Sequence, residues 1–590
     1  MATTVYFNGS VLSVPGAYSA IDTSGLRTKS SMDGAKTLAL LGECTGGEPG
    51  AVQFFSEPLV ARKTLKGGEL LKACEKAWNP VSSTKEGVEL GGANIIAVIR
   101  TNNATKSKLE IIKDNPDKPQ IVFQSKDWGS NTNYQIKIQD GTTDGTKLLT
   151  IHDQSEDVYE SFDNLGRLFS IGYTGEQPYA ELNVFRDSEG IVWFQTKIGE
   201  DAASAEEDIK IALNRNVYKT MRSLVLDLQS YENYRVVSAV RYNLRITVAD
   251  LDFVTGMNIK ATELNPTYSV TAVYADIAQY LQTNSRLIEV LSFDRTQGEI
   301  GNLENYAFLT GGEEGTSPAS WIKYFDQLAN FDIDYIVPLT ADISIHAELA
   351  EHVNTCSGTM GRERRGVVGG NVGETVAETI QRARDLNSSR MQVVHGGFYD
   401  VNSNSELELY APYVLAAQHA GRVTFLPDGE SATHDVYRMS NPEYKLEGSE
   451  ISQLLQGGCL AFEYVIQGNA AAKQFTRLVQ DLTTDLLNED SVHVERATGQ
   501  LADSLNKEIR QELDSMLTGK RTSRTDLVSA KNRVISILQN RQRAGYILSF
   551  KDVYVVKEGG VTTVDYSVAA AEPNNFILIT AHYYSETISA

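Results

Sequence analysis

The sequence contains few of the residues that mark disulfide-rich, secreted or membrane-spanning proteins. Its 590 residues include only four cysteines, at positions 44, 74, 356 and 459, and these form no CxxC pair. We expect buried free thiols, as in a reducing compartment. No apolar run approaches the roughly 20 residues that a membrane helix needs, and the N-terminal residues lack the basic and apolar parts of a secretion signal. The sequence predicts a soluble chain that stays in the compartment where it is made.

Basic residues are also scarce. The chain has 54 Lys and Arg against 76 Asp and Glu, a formal net charge of −22. Because phosphate backbones and anionic lipids repel such a chain, we expect neither a nucleic-acid partner nor a membrane partner. One stretch has a positive net charge, because residues 519–543 hold seven basic residues and one acidic residue. Two interpretations stay open: cations favoured at a helix end and on a solvated face, or a basic turn at Lys520, Arg521 and Arg524 that docks onto an acidic protein surface.

Fingerprints of cofactor binding are weak. Residues 366–373, GVVGGNVG, lie between a predicted strand and a predicted helix, where a phosphate-binding turn belongs. The glycines run GGxxG rather than GxGxxG, and no GxxxxGK[ST] occurs there. A tight turn is the simpler interpretation, and we expect no cofactor. The alternative is an α/β enzyme that binds a phosphate-containing ligand at the turn from Gly369 to Gly373.

Metal and nucleophile motifs are equally weak. His346, Glu348, His352 and Cys356 lie on one predicted helix, but the two histidines are six residues apart. They therefore point about 240° away from each other, unlike the histidines of an HExxH site. The sequence has no GxSxG motif. We expect surface and helix-packing roles for these four residues, no metal and no enzymatic activity.

The order of predicted elements indicates an α/β core interrupted by a β-rich insertion. Buried strands are predicted at Thr37–Gly42 and 93–100, with an amphipathic helix at 68–78 between them. From about residue 102 to 301, short β-prone runs alternate with Gly, Asp and Asn turns, which is typical of a sandwich or barrel. Strand–helix alternation then returns, which indicates a parallel sheet. These later elements are a helix at 321–331, a strand at 334–339, a helix at 346–355, a strand at Arg365–Gly369, a helix at 374–387 and a strand at Met391–Val394.

The C-terminal part has the clearest pattern. A long helix is predicted at 494–517, followed by a second helix that is capped by Thr525 or Asp526 and ends near Arg543. Three strands follow, at 546–556, Val561–Ala570 and 576–584. The predicted divisions are an extended arm (1–31), the first part of the core (32–101), the β-rich insertion (102–301), the second part of the core (302–470), a C-terminal helical and β part (471–575) and a C-terminal strand or arm (576–590).

Both termini are β-prone and are not tied to the predicted core. An extended arm and a terminal strand are suited to strand exchange between copies, because an unpaired strand readily adds to another sheet. Fraying ends are the simpler alternative. The candidates for strand exchange between subunits are Val14, Tyr18, Ile21, Phe576, Leu578, Thr580 and His582.

The chain resembles the tail sheath proteins of contractile-tailed bacteriophages, above all the long version in large phages of Gram-positive bacteria. The resemblance covers nearly the whole chain and rests on the order and spacing of short motifs. Those motifs are PG (15–16), IDTSG (21–25), LGE (41–43), GGEP (46–49), GGELL (67–71), DVY (157–159), DNLG (163–166), GG (311–312), YIVPL (335–339), HAE (346–348), VVGG (367–370), LNSSR (386–390) and APY (411–413).

The resemblance implies a structural role. It implies rings of six subunits stacked helically around a tail tube, with an inner domain made from both sequence ends and inserted domains facing outward. The expected partners are other copies of the chain, the tail tube protein, and the baseplate and tail terminator proteins. The expected location is the virion tail, after synthesis in the host cytoplasm, and the expected action is contraction during genome delivery. Lys520, Arg521 and Arg524 are the candidates for facing the tube. A sheath from a related contractile injection system is the alternative within this class.

Overall fold

The protein is described here from a computed structural model, for residues 5–7, 10–12, 36–113, 117–214, 216–238, 246–262, 267–402, 405–467 and 473–583. The helices are α1 (Pro58–Leu65), α2 (Glu69–Trp78), α3 (Met221–Leu228), α4 (Val273–Asn284), α5 (Ile322–Leu328), α6 (Ile343–Gly358), α7 (Val376–Leu386), α8 (Pro412–Phe425), α9 (Gly448–Gln456), α10 (Ser491–Val494), α11 (Arg496–Leu517) and α12 (Arg524–Arg543). The strands are β1 (Val5–Phe7), β2 (Ser10–Leu12), β3 (Thr37–Gly42), β4 (Val52–Phe55), β5 (Val81–Ser83), β6 (Ile95–Arg100), β7 (Lys108–Ile111), β8 (Ile121–Ser125), β9 (Gln135–Asp140), β10 (Lys147–Asp153), β11 (Val158–Leu165), β12 (Arg167–Tyr173), β13 (Tyr179–Arg186), β14 (Val192–Gly199), β15 (Glu206–Ala212), β16 (Tyr234–Ser238), β17 (Val254–Asn258), β18 (Tyr268–Thr271), β19 (Ile288–Phe293), β20 (Leu303–Phe308), β21 (Tyr335–Pro338), β22 (Arg365–Gly369), β23 (Met391–Val394), β24 (Phe398–Val401), β25 (Leu407–Tyr410), β26 (Val436–Tyr437), β27 (Asn441–Pro442), β28 (Cys459–Leu460), β29 (Phe462–Gln467), β30 (Lys473–Leu478), β31 (Ile547–Glu558) and β32 (Val561–Ala570).

A seven-stranded sheet in the order β28-β23-β22-β21-β3-β6-β4 forms the centre of the core. All neighbours are parallel except β4, which runs antiparallel to β6 at one edge. Strands β3, β4 and β6 precede the insertion, whereas β21, β22, β23 and β28 follow it. The core is therefore assembled from both parts of the chain, as the sequence predicts. Strand β3 is buried along its whole length, which explains its uninterrupted apolar sequence.

Helices cover both faces of this sheet. Side chains of α1, α2 and α8 pack on one face, and side chains of α5, α6, α7 and α9 pack on the other. Helices α2 and α8 approach closely at Gly421, where an added Cβ would lie 2.2 Å from the carbonyl oxygen of Ala77. A glycine is required at that position because the two backbones are nearly in contact.

The inserted region is β-rich and has its own apolar cores. Its strands form four sheets, in the orders β11-β10-β9-β20, β16-β12-β18, β15-β14-β13-β17 and β19-β8-β7. Two clusters of buried side chains lie beneath these sheets. Strand β20 pairs with β9, so this module includes residues beyond 301, where the sequence places the end of the insertion.

The main difference from the sequence-based expectation lies at the C-terminal end. Residues 571–583 are neither helix nor strand, whereas the sequence predicts a strand at 576–584. The prediction is wrong for the isolated chain because a strand needs a pairing partner, and the described part of the chain provides none. Within the described residues, no helix is both long and apolar enough to cross a bilayer.

Candidate assembly site

Two antiparallel helices, α11 and α12, form the base of the C-terminal unit. Leu501, Leu505, Ile509 and Leu513 recur every four residues of α11, so they lie along one helical stripe. This stripe packs against the buried side chains of α12, which are Ala530, Val534, Ile537 and Leu538. The structure confirms the long helix predicted for this region. The four-residue spacing of the apolar side chains is the pattern that predicts it.

The turn between the two helices is set by a glycine and a capping box. Gly519, with φ of +73°, follows the end of α11. The Ser523 hydroxyl accepts a hydrogen bond from the amide of Asp526, and the Asp526 carboxylate accepts one from the amide of Ser523 at 2.7 Å. The cap is therefore Ser523, and the expectation of Thr525 or Asp526 is wrong. A capping box needs Ser or Thr at the cap and an acceptor side chain three residues later.

A two-stranded hairpin, β31–β32, packs on this helix pair. Val553, Val564, Tyr566 and Val568 join the apolar cluster of α11 and α12. The hydroxyl of Tyr566 donates a hydrogen bond of 2.6 Å to Asn506 Oδ1 on α11. One face of the hairpin is thus fixed to the helices, and the opposite face is exposed.

Both outer edges of this hairpin are unpaired within the described part of the chain. A groove of about 850 Å³ runs between α11 and β32. Ile509, Leu513 and Leu517 line it from the helix, and Val564 and Tyr566 line it from the strand. Charged residues, among them Arg390, Asp503 and Arg510, also line it. An exposed strand edge is a template for another strand.

The C-terminal segment 576–583 is outside helix and strand and is exposed to solvent. Phe576 is 78% exposed and Leu578 is 93% exposed. Thr580 and His582 are also exposed, and these four alternate residues would share one face if the segment became a strand. The structure therefore gives the segment no partner within its own described chain.

The root of this segment is held by two hydrogen bonds. The side-chain amide of Asn575 donates one of 2.8 Å to Glu495 Oε1, and the Ser491 hydroxyl donates one of 2.6 Å to Glu572 Oε1. Glu495 is buried and also accepts a hydrogen bond of 2.8 Å from Gln480. Burial raises the pKa of Glu495 above its ordinary value. Sequence analysis missed these residues because partners 80 positions apart leave no local pattern.

The basic residues of 519–543 divide into paired and unpaired groups. Arg541 is buried and pairs with Glu508 at 2.9 Å and Asp428 at 3.3 Å, and Arg533 pairs with Glu512 at 3.0 Å. Lys520, Arg521 and Arg524 are exposed. The Lys520 ammonium donates to the carbonyl of Ser515. Within the described ranges, none of these three forms an ion pair, so their charge is available on the surface.

The N-terminal candidates Val14, Tyr18 and Ile21 lie outside the described residues. Upstream of them, β1 and β2 form a short antiparallel hairpin in which Val5 is opposite Leu12.

The glycine-rich turn after β22 is occupied by protein side chains. A Cβ at Gly370 would lie 1.8 Å from Glu374 Oε2, and the Glu374 carboxylate pairs with Arg382. The amide of Gly373 donates a hydrogen bond of 2.7 Å to Glu443 Oε1. Two carboxylates therefore lie where a phosphate would have to bind, and they repel an anion. The geometry opposes the alternative interpretation of a phosphate-binding enzyme.

The four candidate residues on α6 have packing roles. His346 is buried, bonds to Thr340 O at 2.8 Å through Nε2 and accepts from Arg382 through Nδ1 at 3.2 Å. Burial lowers its pKa to about 4. Glu348 accepts from the amide of Trp321, and His352 lies 3.7 Å from the Cys356 sulfur. Across the residues that the structure describes, no group of three or more His, Cys, Asp or Glu is arranged to hold a metal ion.

Comparison with solved structures supports the fold. The chain is similar to the crystal structure of a sheath tail protein from Desulfitobacterium hafniense, with a TM-score of 0.53 and 13% identity over 94% of this chain and all of that chain. A sheath tail protein from Listeria innocua gives the same TM-score and identity over 92% and 97% of the two chains.

Sequence comparison identifies the family, although no family model matches the chain. The chain is 30% identical to the tail sheath protein of Bacillus phage SP01 over 587 residues, which cover 99% of this chain and 97% of that protein. It is 30% identical to a putative tail sheath protein of Enterococcus phage phiEF24C over 97% of each chain. It is 28% identical to the tail sheath protein of Staphylococcus phage Twort over 98% of each chain. The chain therefore belongs to the phage tail sheath proteins, which are structural components of the virion tail and not enzymes.

Proposed function

We propose that this chain is the repeating subunit of a contractile tail sheath. In this proposal, copies form rings of six that stack helically around a tail tube, and contraction drives the tube through the host envelope during genome delivery. One observation carries the proposal: the same molecule presents a hairpin with open edges and an exposed apolar segment of strand length. A heterologous contact of this kind, repeated without closing, generates a helical filament.

The joint between subunits is an exchanged strand. The segment with Phe576, Leu578, Thr580 and His582 adds to an edge of β31–β32 on a neighbouring copy, and the N-terminal arm with Val14, Tyr18 and Ile21 adds to the other edge. About six ladder hydrogen bonds per strand, at roughly 0.5–1.5 kcal/mol each, give on the order of 3–9 kcal/mol per junction before the cost of ordering the arm.

Strand exchange is also suited to contraction. During contraction, neighbours have to stay joined while they rotate and slide past one another. An arm with a fixed strand pairing and a pliable connection permits this, whereas rigid docking of one face on another resists it. Contacts to the tube, in contrast, have to break as the sheath moves outward.

We assign the tube contact to the basic turn of Lys520, Arg521 and Arg524. These side chains are exposed and lack an ion-pair partner within the described residues, and they stand out in a chain of net charge −22. An exposed electrostatic contact is screened by salt and is weak for each pair. Such a contact sets the register on an acidic tube and still releases when the sheath contracts.

The other expected partners act at the two ends of the assembly. The baseplate protein meets the first ring and the tail terminator protein meets the last, after synthesis of the chain in the host cytoplasm. A sheath of a related contractile injection system would use the same joint, so the joint alone does not separate the two machines.

Electron microscopy of the purified protein tests the proposal. The full chain is expected to form tubes or contracted-sheath-like cylinders in negative stain. A chain without residues 576–590 is expected to remain a folded monomer, as is a chain without residues 1–21. The matched control lacks only residues 585–590, a polar stretch of the tail, and is expected to polymerise normally. Normal tubes from both arm deletions would refute strand exchange.

A further inference from the structure

A closed loop lies at the root of the C-terminal segment. We call it the 484–493 loop, after its residues. Its ends are joined by an antiparallel bridge between Leu482 and Glu495 and by a hydrogen bond of 2.9 Å from the amide of Thr483 to the carbonyl of Val494. Glu495, which closes the loop, is also the residue that holds Asn575. The loop base and the root of the C-terminal segment are thus the same place in the fold.

The loop is held in one conformation by hydrogen bonds. The Asn387 side chain accepts one of 3.1 Å from the amide of Leu486, and the Asp485 side chain accepts one of 3.0 Å from the amide of Leu487. Asp485 also accepts from the amide of Asn488 at 3.2 Å. A loop fixed in this way presents its side chains in a defined direction.

This fixed loop presents apolar side chains to solvent. Leu487 is 81% exposed, and Leu486 and Val492 are also exposed. A single exposed leucine needs no explanation, but a group on a rigid loop beside an exposed apolar segment marks an interaction surface.

The outward side of the hairpin carries apolar side chains among polar ones. Tyr554, Val556 and Val561 are each more than half exposed. The residues opposite them on the paired strand share their face and are acidic or polar: Asp565, Thr563 and Glu558. The Lys531 ammonium of α12 lies 5.8 Å from the centre of the Tyr554 ring, so the apolar area available to a neighbour is that of Val556 and Val561. These residues form what we call the outward hairpin face.

The length of the C-terminal segment limits where its acceptor lies. Residues 576–583 span at most about 26–29 Å when fully extended. The hairpin that receives the segment therefore lies within that distance of Asn575 on the donating copy, and so within the same distance of the base of the 484–493 loop. Strand exchange therefore keeps the loop of one copy within reach of the hairpin of the next.

We propose that the 484–493 loop of the copy that donates its C-terminal strand docks on the outward hairpin face of the copy that receives it. This inference rests on the proposed function. It adds a second contact to the exchanged strand, in which Leu487 covers Val556 and its neighbours. A strand joined only by its ladder can swing about its edge, and the loop contact fixes the angle between the two subunits.

Charge substitution at the loop tests the proposal. Leu487→Asp is expected to leave the circular dichroism spectrum and melting temperature unchanged and to reduce the pelleted polymer at least tenfold. The matched control is Leu407→Asp, since Leu407 is 63% exposed and lies on β25; it is expected to polymerise as the unmodified chain does. Normal polymer from Leu487→Asp, or equal loss in both variants, would overturn the loop contact. If both arm deletions formed normal tubes, strand exchange itself would fail, and this outcome is distinct from a loss of the loop contact alone.

Cross-linking keeps the proposal testable if Leu487→Asp misfolds. Cysteines introduced as Leu487→Cys and Val556→Cys are expected to link copies in the polymer and not in the monomer. The four native cysteines are at most 2% exposed, so they do not compete for the reagent. The control pair is Leu407→Cys with Val556→Cys, which is expected to give no link. Absence of links in a Leu487→Cys, Val556→Cys polymer would contradict the contact.

Discussion

Asn575 donates a hydrogen bond of 2.8 Å from its side-chain amide to the buried carboxylate of Glu495. This contact marks the last point at which the described chain is tied to its own body, because every residue from 576 to 583 is exposed and outside helix and strand. The fold thus separates a fixed body from a free apolar segment at one residue. The greatest reach of the arm is therefore counted from Asn575.

A negative charge at Asn575 is expected to weaken assembly, and the size of the effect is expected to depend on pH. Asn575→Asp places a carboxylate against Glu495, and we expect a loss of polymer of about tenfold at pH 8, equivalent to about 1.4 kcal/mol. Because burial raises the pKa of Glu495, its carboxylate takes up a proton at a higher pH than an ordinary glutamate does, so the repulsion and the deficit are expected to shrink as the pH is lowered. Sedimentation over a series of falling pH values measures this. Asn574→Asp adds the same charge at an exposed neighbour, and an equal deficit there would rule out the Glu495 contact as the cause.

Charge reversal of the basic turn is expected to affect tube binding more than self-assembly. The variant Lys520→Glu, Arg521→Glu, Arg524→Glu removes the unpaired cations, and we expect loss of co-assembly with purified tail tubes while polymer formation without tubes is retained. The decisive quantity is the ratio of tube-bound to free polymer.

A matched control for the basic turn changes the net charge by the same amount elsewhere. Lys63→Glu, Lys219→Glu, Arg222→Glu alters three exposed residues of the core and the insertion. It is expected to bind tubes normally. Equal loss of tube binding and self-assembly in the basic-turn variant would count against tube docking.

The buried ion pair between Arg496 and Asp481 is expected to be essential for stability. Both side chains are fully buried, with a distance of 2.7 Å. Arg496→Met leaves the Asp481 charge uncompensated, which costs about 3–5 kcal/mol. Arg533→Met, the control, breaks an exposed pair with Glu512, which costs about 0–1 kcal/mol. Urea unfolding compares the two, and similar midpoints would show that the buried pair is not critical.

His346 is expected to make the core acid-sensitive. Its folded pKa is lowered to about 4 from 6.5, so below pH 6.5 the unfolded chain binds a proton that the folded chain does not. Its stabilising contribution is present above pH 6.5 and is lost as the pH falls toward 4, by about 2 kcal/mol between pH 7 and pH 5. His346→Gln removes this titration, so its urea midpoint should change less than that of the unmodified chain over this range. An identical pH dependence would contradict the assignment.

Local patterns predicted the core elements well. Four strands have the predicted bounds: Thr37–Gly42, Arg365–Gly369, Met391–Val394 and Val561–Ala570. They are predictable because a buried strand has a continuous apolar run and a half-buried strand has alternating apolar and polar residues, and both patterns involve only neighbouring residues. Long-range pairing was not predictable in this way. The pairing of Leu303–Phe308 with β9 depends on which strand edge remains open after folding, and no spacing in the sequence reports that.

In the candidate site, too, local patterns were predictable from the sequence and long-range contacts were not. The sequence picked out the basic turn and the apolar C-terminal residues, but its count of seven basic residues in 519–543 could not separate the exposed cations from Arg541. That guanidinium is buried against Glu508 and Asp428, which lie 33 and 113 positions away in the chain. The sequence likewise predicted a strand at 576–584 from its β-prone residues, although the pairing partner of such a strand has to come from outside the described chain.

Hydrogen exchange of the backbone amides in residues 576–583 tests strand exchange most directly. In the monomer these amides are expected to exchange at the rate of an unfolded peptide, since the segment is exposed and unpaired. In the polymer, alternate amides are expected to be protected at least a hundredfold, because every second amide of an edge strand points at its partner. Polymer in which these amides exchange as fast as in the monomer would contradict the account.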